Sequence, residues 1–330
     1  MQNIEYKPII KNLDKYGEIT LARGIVMDNK DKTLRENATT GISTRQFGKY
    51  WYYLGENKVI FKSFECMQRI RLNRIVNELL FYEISKQIGL DCAKCELATM
   101  NDITGIVSYS VLGKDERLIT ASKLKMITGF DYFENSLSIY HSTLKALAQK
   151  GYVIDLQKET LNLFKLCLID ELLLHTDRHS GNINFIENTK TNEIRLAPIF
   201  DNEFAFCSFN LNIINSDFDT IDFELLKSFF NDSENIFSVK RIDYAKPKYE
   251  QIKDDLISFA NKNEDAKKIL LNILDKIDIK SAIENVEKLG IQISTDYKDF
   301  ITMITCESVK EFEKTMHFFK KIESTNEIQR

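Results

Sequence analysis

Apolar and polar positions divide the chain into two textures. Lys49 to Leu54 and Lys58 to Phe64 crowd aromatic and β-branched residues on either side of Gly55-Glu56-Asn57, which predicts a hairpin. Cys95 to Met100 and Ile106 to Leu112 flank Asn101-Asp102-Ile103-Thr104-Gly105 and predict a second one. Between them Leu72, Ile75, Val76, Leu79, Leu80, Ile84 and Ile88 recur at helical spacing, and Gly89 supplies the stop. The order β-β-α-β-β predicts a small sheet carrying one helix. Beyond residue 115 helical periodicity takes over, at Ser136 to Lys150, Lys158 to Thr176, Tyr249 to Asn261, Asp265 to Lys276, Ile279 to Leu289 and Val309 to Ile322. One β interruption is expected there, Ile183 to Glu187 with Ile194 to Phe200, around Asn188 to Asn192.

A chain of 330 residues exceeds the length at which one core usually keeps growing, so two lobes or two domains are expected. With 43% hydrophobic and 28% charged residues, the composition excludes a disordered or fibrous chain. A net charge of −4 without a dense basic block argues against a nucleic-acid backbone as direct partner. Six cysteines without a framework spacing, and an N-terminus (MQNIEYKPII) lacking a signal-type apolar stretch, predict reduced thiols in a cytoplasm. Asp170 and Glu171 interrupt the apolar run around Ile169 to Leu174, far short of the roughly 20 residues a membrane span needs. Cys92-x-x-Cys95 invites a zinc or dithiol reading, but no second CxxC or paired His follows at ligand spacing.

The chemistry concentrates in His175-Thr-Asp177-Arg178-His179-Ser-Gly-Asn182, after a long helix and before a hairpin whose far strand ends Ala197-Pro-Ile-Phe-Asp201. An Asp, an Asn five residues on, and a second Asp beyond a hairpin form the layout that phosphoryl transfer requires. The first Asp can accept the proton of an attacking hydroxyl, while the Asn and the second Asp offer hard oxygens to Mg²⁺. Read as ligands instead, His175 and His179 at i and i+4 would suggest a metal hydrolase, yet Asp177, Gly181 and the loop composition argue against a helix there.

The segment resembles the catalytic loop of the HipA-like serine/threonine kinases, Asp-x-His-x-x-Asn followed by a Leu-Ala-Pro-x-x-Asp strand end, here Asp177, His179, Asn182 and Leu196 through Asp201. Asn77-Glu78, opening a helix that closes with Ile88-Gly89-Leu90, is similar to that family's N-lobe helix, and the likeness spans roughly residues 40 to 320. Asp-Arg-His-x-x-Asn also resembles the loop of phosphoinositide 3/4-kinases. The resemblance implies an α+β, bilobal protein-kinase-like fold, with a small β-rich N-lobe over residues 1–113 and a larger, mostly helical C-lobe over 114–330. It implies ATP and Mg²⁺ as cofactors, Asp177 as general base, Asn182 and Asp201 as metal ligands, and His179 near the nucleotide phosphates. Lys62 would neutralise the α and β phosphates, and main-chain groups at Ser110 to Leu112 would hold adenine. Arg178 reads as a scaffold ion pair.

Two lines disagree on the glutamate that pairs with Lys62. Helical arithmetic places Glu83 inside the apolar stripe and Glu78 opposite it, whereas the Asn77-Glu78 register matches the family; the motif match favours Glu78. Gly41-Ile-Ser43-Thr44-Arg45-Gln46-Phe47-Gly48 occupies the place of a phosphate-covering loop without matching Gly-x-Gly-x-x-Gly. By resemblance Ser43 and Thr44 are candidates for autophosphorylation. The family also implies a protein substrate, and the part of a toxin neutralised by an antitoxin. Only the residues before Gly41 precede the loop, so the extra N-terminal subdomain of full-length members is expected to be missing or supplied by another chain. A lipid or small-molecule kinase and a pseudokinase scaffold are the rival readings. The mixed signs of Lys267, Lys268, Asp275 and Lys276 favour a protein substrate, and the intact Asp, Asn, Asp set favours turnover.

Overall fold

The protein, seen here as a computed structural model, is described over residues 11–12, 50–54, 57–63, 68–100, 103–129, 137–175, 178, 182–206 and 249–328. Both expected hairpins form. They build a five-stranded sheet from β1 (Lys11–Asn12), β2 (Tyr50–Leu54), β3 (Asn57–Ser63), β4 (Cys95–Met100) and β5 (Ile103–Tyr109), in spatial order β1-β4-β5-β3-β2. Strand β1 lies parallel to β4, and the other neighbours are antiparallel. Side chains alternate across β3 as a pleated strand dictates. Val59 and Phe61 pack with Ala98 and Val107 into a small core, while Ile60 and Lys62 line a cleft on the other face. Gly105 is where the sheet tolerates no side chain: a Cβ there would sit 2.3 Å from the Lys62 carbonyl oxygen and 2.8 Å from the Phe61 ring.

Helix α1 (Gln68–Ile88) has the expected bounds. Gly89 takes φ +63°, and the Leu90 amide returns to the Ser85 carbonyl at 2.9 Å, a Schellman closure. The apolar residues of α1 enter the main core, and Arg74, Asn77, Glu78 and Ser85 are buried as well, while Lys86 stays exposed.

Several strands depart from expectation. The predicted hairpin, β7 (Asn184–Asn188) with β8 (Ile194–Leu196), is joined by a third strand, β6 (Glu116–Thr120), in the order β6-β7-β8. The β6 segment, ERLIT, is too short and too polar to announce a strand; its pairing to β7 and the Arg117–Glu187 ion pair at 2.8 Å hold it. Strand β5 ends at Tyr109 instead of reaching Leu112, because the Ser110 amide makes its last ladder bond to Lys58 O at 2.8 Å and the chain then leaves the sheet. Strand β8 likewise stops at Leu196, short of the expected Phe200.

Around this sheet stand α2 (Ala121–Thr128), α3 (Leu137–Gln149), α4 (Leu156–Leu172), α5 (Tyr249–Lys262), α6 (Glu264–Lys276), α7 (Ile279–Glu287) and α8 (Thr295–Ile328). Helix α2 was not foreseen, and α8 begins at Thr295 rather than Val309. Asp155, Asn263 and Asp278 cap α4, α6 and α7 by accepting from first-turn amides. Helix α7 packs on α1, where Gln87 and the Asp278 backbone exchange two hydrogen bonds of 2.9 Å. Among the described residues no helix is long and apolar enough to cross a membrane.

Candidate active site

Three elements converge on one ammonium group. Strand β3 aims Lys62 into the cleft, α1 presents Glu78 from behind, and the turn after β8 delivers Asp201. Lys62 Nζ donates to Glu78 Oε1 at 2.5 Å and to Asp201 Oδ1 at 2.7 Å. Lys62 and Glu78 are each 4% exposed, whereas the Asp201 side chain keeps 20% of its surface open. The structure thus places Glu78, not Glu83, against Lys62; Glu83 pairs with Lys86 at 2.5 Å and receives Asn285 at 3.3 Å. The stripe argument fails because Glu83 lies on the partly open side of α1 with Lys86, while the side that carries Glu78 is itself buried.

Glu203 adds a third carboxylate: oxygens of Glu78, Asp201 and Glu203 lie within 4.8 Å of one another. Burial by itself pulls the Lys62 ammonium down, but Asp201, Glu78 and Glu203 outweigh it and hold the group well above the usual lysine range. Lys62 is therefore a permanent cation. Arg74 reaches Glu203 at 3.7 Å and stacks on the Phe204 ring at 4.5 Å.

Asp201 sits in a left-handed backbone conformation, φ +63°. Both of its neighbours are held by Arg178, which is 3% exposed. Arg178 Nη1 donates to Phe200 O at 3.2 Å and Nη2 to Asn202 Oδ1 at 2.7 Å, while Nε and Nη2 fork onto the two Asp170 oxygens at 2.8 and 3.0 Å. The scaffold reading of Arg178 matches this geometry. Upstream, Ile199 is clamped to the segment after α1, with Ala93 N to Ile199 O at 2.8 Å and Ile199 N to Asp91 O at 2.9 Å. Downstream, Asn77 Nδ2 donates to the carbonyls of Glu203 at 3.2 Å and Ala205 at 2.9 Å, and receives the Tyr297 hydroxyl on Oδ1 at 2.6 Å.

The cleft beside Lys62 spans about 420 Å³ of space with open solvent included. Ile60, Ala93, Leu118 and Phe200 are among its apolar lining and Ser108 to Leu112 line it as well, so the predicted Ser110 and Leu112 share a cavity with Lys62 and Asp201. Asn182 is buried just ahead of β7. Asp177, His179, Gly41, Ser43 and Thr44 lie outside the described residues.

Sequence reasoning passed over Glu203, Asn202, Asp170 and Tyr297. Asp201-Asn202-Glu203 was visible as a polar run after an apolar strand end, and Asp170-Glu171 as charges inside an apolar helix. The CxxC sulfurs serve as donors: Cys92 Sγ to Ile199 O at 3.2 Å and Cys95 Sγ to Glu78 O at 3.7 Å. His175 meets the Phe81 ring edge-on at 6.1 Å between centroids.

A search of curated proteins finds no match. Among solved structures, the proinflammatory kinase CtkA of Helicobacter pylori superposes with a TM-score of 0.58 at 16% identity, over 83% of this chain and 97% of that one. HipA of Shewanella oneidensis MR-1, solved with HipB and operator DNA, aligns at 0.42 and 12% identity over 89% of this chain and 67% of its own. The CtkA superposition shows an α+β, kinase-like fold. The HipA-like C-terminal domain family matches residues 52–281, more than half of the chain and the whole stretch from β3 through the Lys62, Glu78 and Asp201 cluster into α7, and the chain belongs to that family.

Proposed function

We propose that this protein transfers the γ-phosphoryl group of ATP to a serine or threonine hydroxyl of a protein. One observation carries the reading: Lys62 bridges Glu78 and Asp201 at the wall of a cleft that Ser110 to Leu112 also line, where the chain leaves β5. Family membership and the kinase-like fold support a kinase-like function.

In this reading adenine lies between Ile60, Ala93, Leu118 and Phe200 and bonds to main chain between Ser110 and Leu112. Lys62 holds the α and β phosphates. Glu78 fixes the lysine's position, so little reorganisation is needed when nucleotide arrives. Asp201 is a hard oxygen donor, partly open to the cleft and set in an anionic cluster, which fits a divalent cation; Asn182 would complete the pair of ligands. Bound Mg²⁺ supplies neutralisation of phosphate charge. Asp177 orients the acceptor hydroxyl and takes its proton, and His179 lies near the phosphates. The proposed lobes are 1–113 and 114–330, joined where the chain leaves β5.

Incubation with γ-labelled ATP and Mg²⁺, followed by phosphosite mapping, tests the proposal. Label on Ser43, Thr44 or an added protein acceptor, absent in Asp177→Ala and Asp201→Ala, is the expected result. Absence of both label and a nucleotide-dependent thermal shift overturns it. A thermal shift with label only on an added small molecule or lipid overturns the protein-substrate assignment alone.

A further inference from the structure

The guanidinium of Arg178 grips the residues on either side of Asp201. Its fork closes on Asp170, in the last turn of α4, with both contacts at 3.0 Å or less. Its remaining donors reach the carbonyl of Phe200 at 3.2 Å and the side chain of Asn202 at 2.7 Å. The residue between those two anchors is the one that adopts φ +63°. Aspartate tolerates the left-handed region better than most residues, but it stays there only where the surroundings over-determine it. Here they do: Ile199 is tied to Asp91 and Ala93, Phe206 N donates to Leu173 O at 2.7 Å, and Arg178 fills the gap between these clamps. The Phe81 ring lies 5.7 Å from the guanidinium carbon and closes the remaining side. Arg178 adjoins Asp177 in sequence, so one side chain links the proposed base loop to the proposed metal ligand.

We propose that Arg178 is a positioning residue for Asp201: by tying Asp170 to Phe200 and Asn202 it sets the left-handed turn that points the Asp201 carboxylate at Lys62 and toward the metal. This rests on Asp201 being a metal ligand, as proposed above. A planar fork with five donors can satisfy three acceptors at fixed angles, whereas a lysine ammonium keeps the charge and loses that geometry. Supports of this kind, one step removed from the metal, typically change metal affinity by about 10- to 100-fold when removed.

The test uses the full chain, with Arg178→Lys and Asn202→Ala. The second variant removes one arm and leaves the Arg178–Asp170 pair intact, so it decides the matter if the first does not fold. Two quantities are read: the Mg²⁺ concentration giving half of the thermal shift at saturating ATP, and hydrogen exchange of amides 199–206 in ligand-free protein. The expected result is a roughly tenfold rise in half-saturating Mg²⁺ together with faster exchange confined to that segment. A lower melting temperature with unchanged Mg²⁺ half-saturation and unchanged local exchange would show a merely structural role and overturn the proposal while the kinase reading stands. A wild type with no Mg²⁺-dependent shift would sink the metal-ligand reading of Asp201 and this inference with it.

Discussion

Lys62 and Arg178 are both buried cations close to Asp201, yet their surroundings differ in sign. Lys62 meets Glu78 and Asp201, with Glu203 beside them; even with Arg74 counted, that cluster stays anionic. Among the described residues Arg178 meets the carboxylate of Asp170 and two neutral acceptors, Asn202 and the Phe200 carbonyl, so these charges balance. A balanced, enclosed pair has nothing left to bind and serves as scaffold. An anionic cluster with one carboxylate open to a cleft carries an unspent attraction for a cation, at some expense in stability. Charge balance, more than burial, separates the working cluster from its support.

The largest expected effect tests the working side. Asp201→Ala removes the proposed metal ligand and should lower phosphoryl transfer by on the order of 10³-fold, about 4 kcal/mol of barrier, in a labelled-ATP assay. Its stability should change by no more than about 1 kcal/mol, since Lys62 keeps Glu78 and the cluster loses excess negative charge. Asp170→Ala should behave in the opposite sense. It strands a buried guanidinium and should cost about 3–5 kcal/mol in urea denaturation. Equal destabilisation by the two variants would erase the distinction drawn here.

A smaller effect should follow from the outer brace. Tyr297, in the first turn of α8, donates to Asn77, whose amide holds the carbonyls of Glu203 and Ala205. Tyr297→Phe leaves the buried Asn77 oxygen without that donor and should cost about 1–2 kcal/mol, with faster exchange of amides 203–206. Loss of stability without any change in that exchange would show that the brace does not reach the Asp201 turn.

How much of this was legible in the sequence depended on the range of the interaction. The two hairpins and α1 were readable because period, turn chemistry and Gly89 are local signals. The trio Lys62, Glu78 and Asp201 was readable through motif register alone; the helical stripe pointed to Glu83, since periodicity does not show that Arg74, Asn77 and Glu78 are buried along with the apolar residues of α1. Asp170 looked like a mere break in an apolar run, and its partner Arg178 lies across the end of α4. Nothing in the periodicity of α4 shows that its chain turns back there. Strand β6 was missed for a related reason: five residues of mixed polarity become a strand only because β7 offers an edge. Tyr297 joins Asn77 from the far end of the chain, a pairing that only the fold creates.

Cys92 lies between the two clusters and gives the finest test of their difference. Its sulfur donates to Ile199 O, and Asn202 Nδ2 approaches it at 3.7 Å from the Arg178 side. Burial first, and then the negative charge of Glu78, push the thiol up to about 12, against smaller opposing pulls from the Ser85 hydroxyl and then Arg178. The folded value is raised above the unfolded one, near 8.5–9, so the proton's contribution to stability is complete below that range and is lost as pH rises toward 12. Between pH 7 and 9.5 this one thiol should remove about 1 kcal/mol from the unfolding free energy, and Cys92→Ala should flatten the decline by that amount. Cys95 and Cys167, also raised by burial, keep their share of the slope in both proteins. Glu78→Gln should leave that slope almost unchanged but bring the folded Cys92 thiol down, read as a lower midpoint in the pH dependence of its alkylation rate in the folded protein, because the variant takes away a charge that opposes a thiolate. An unshifted midpoint would mean that desolvation alone sets the thiol, and that the anionic cluster does not extend its field as far as the support.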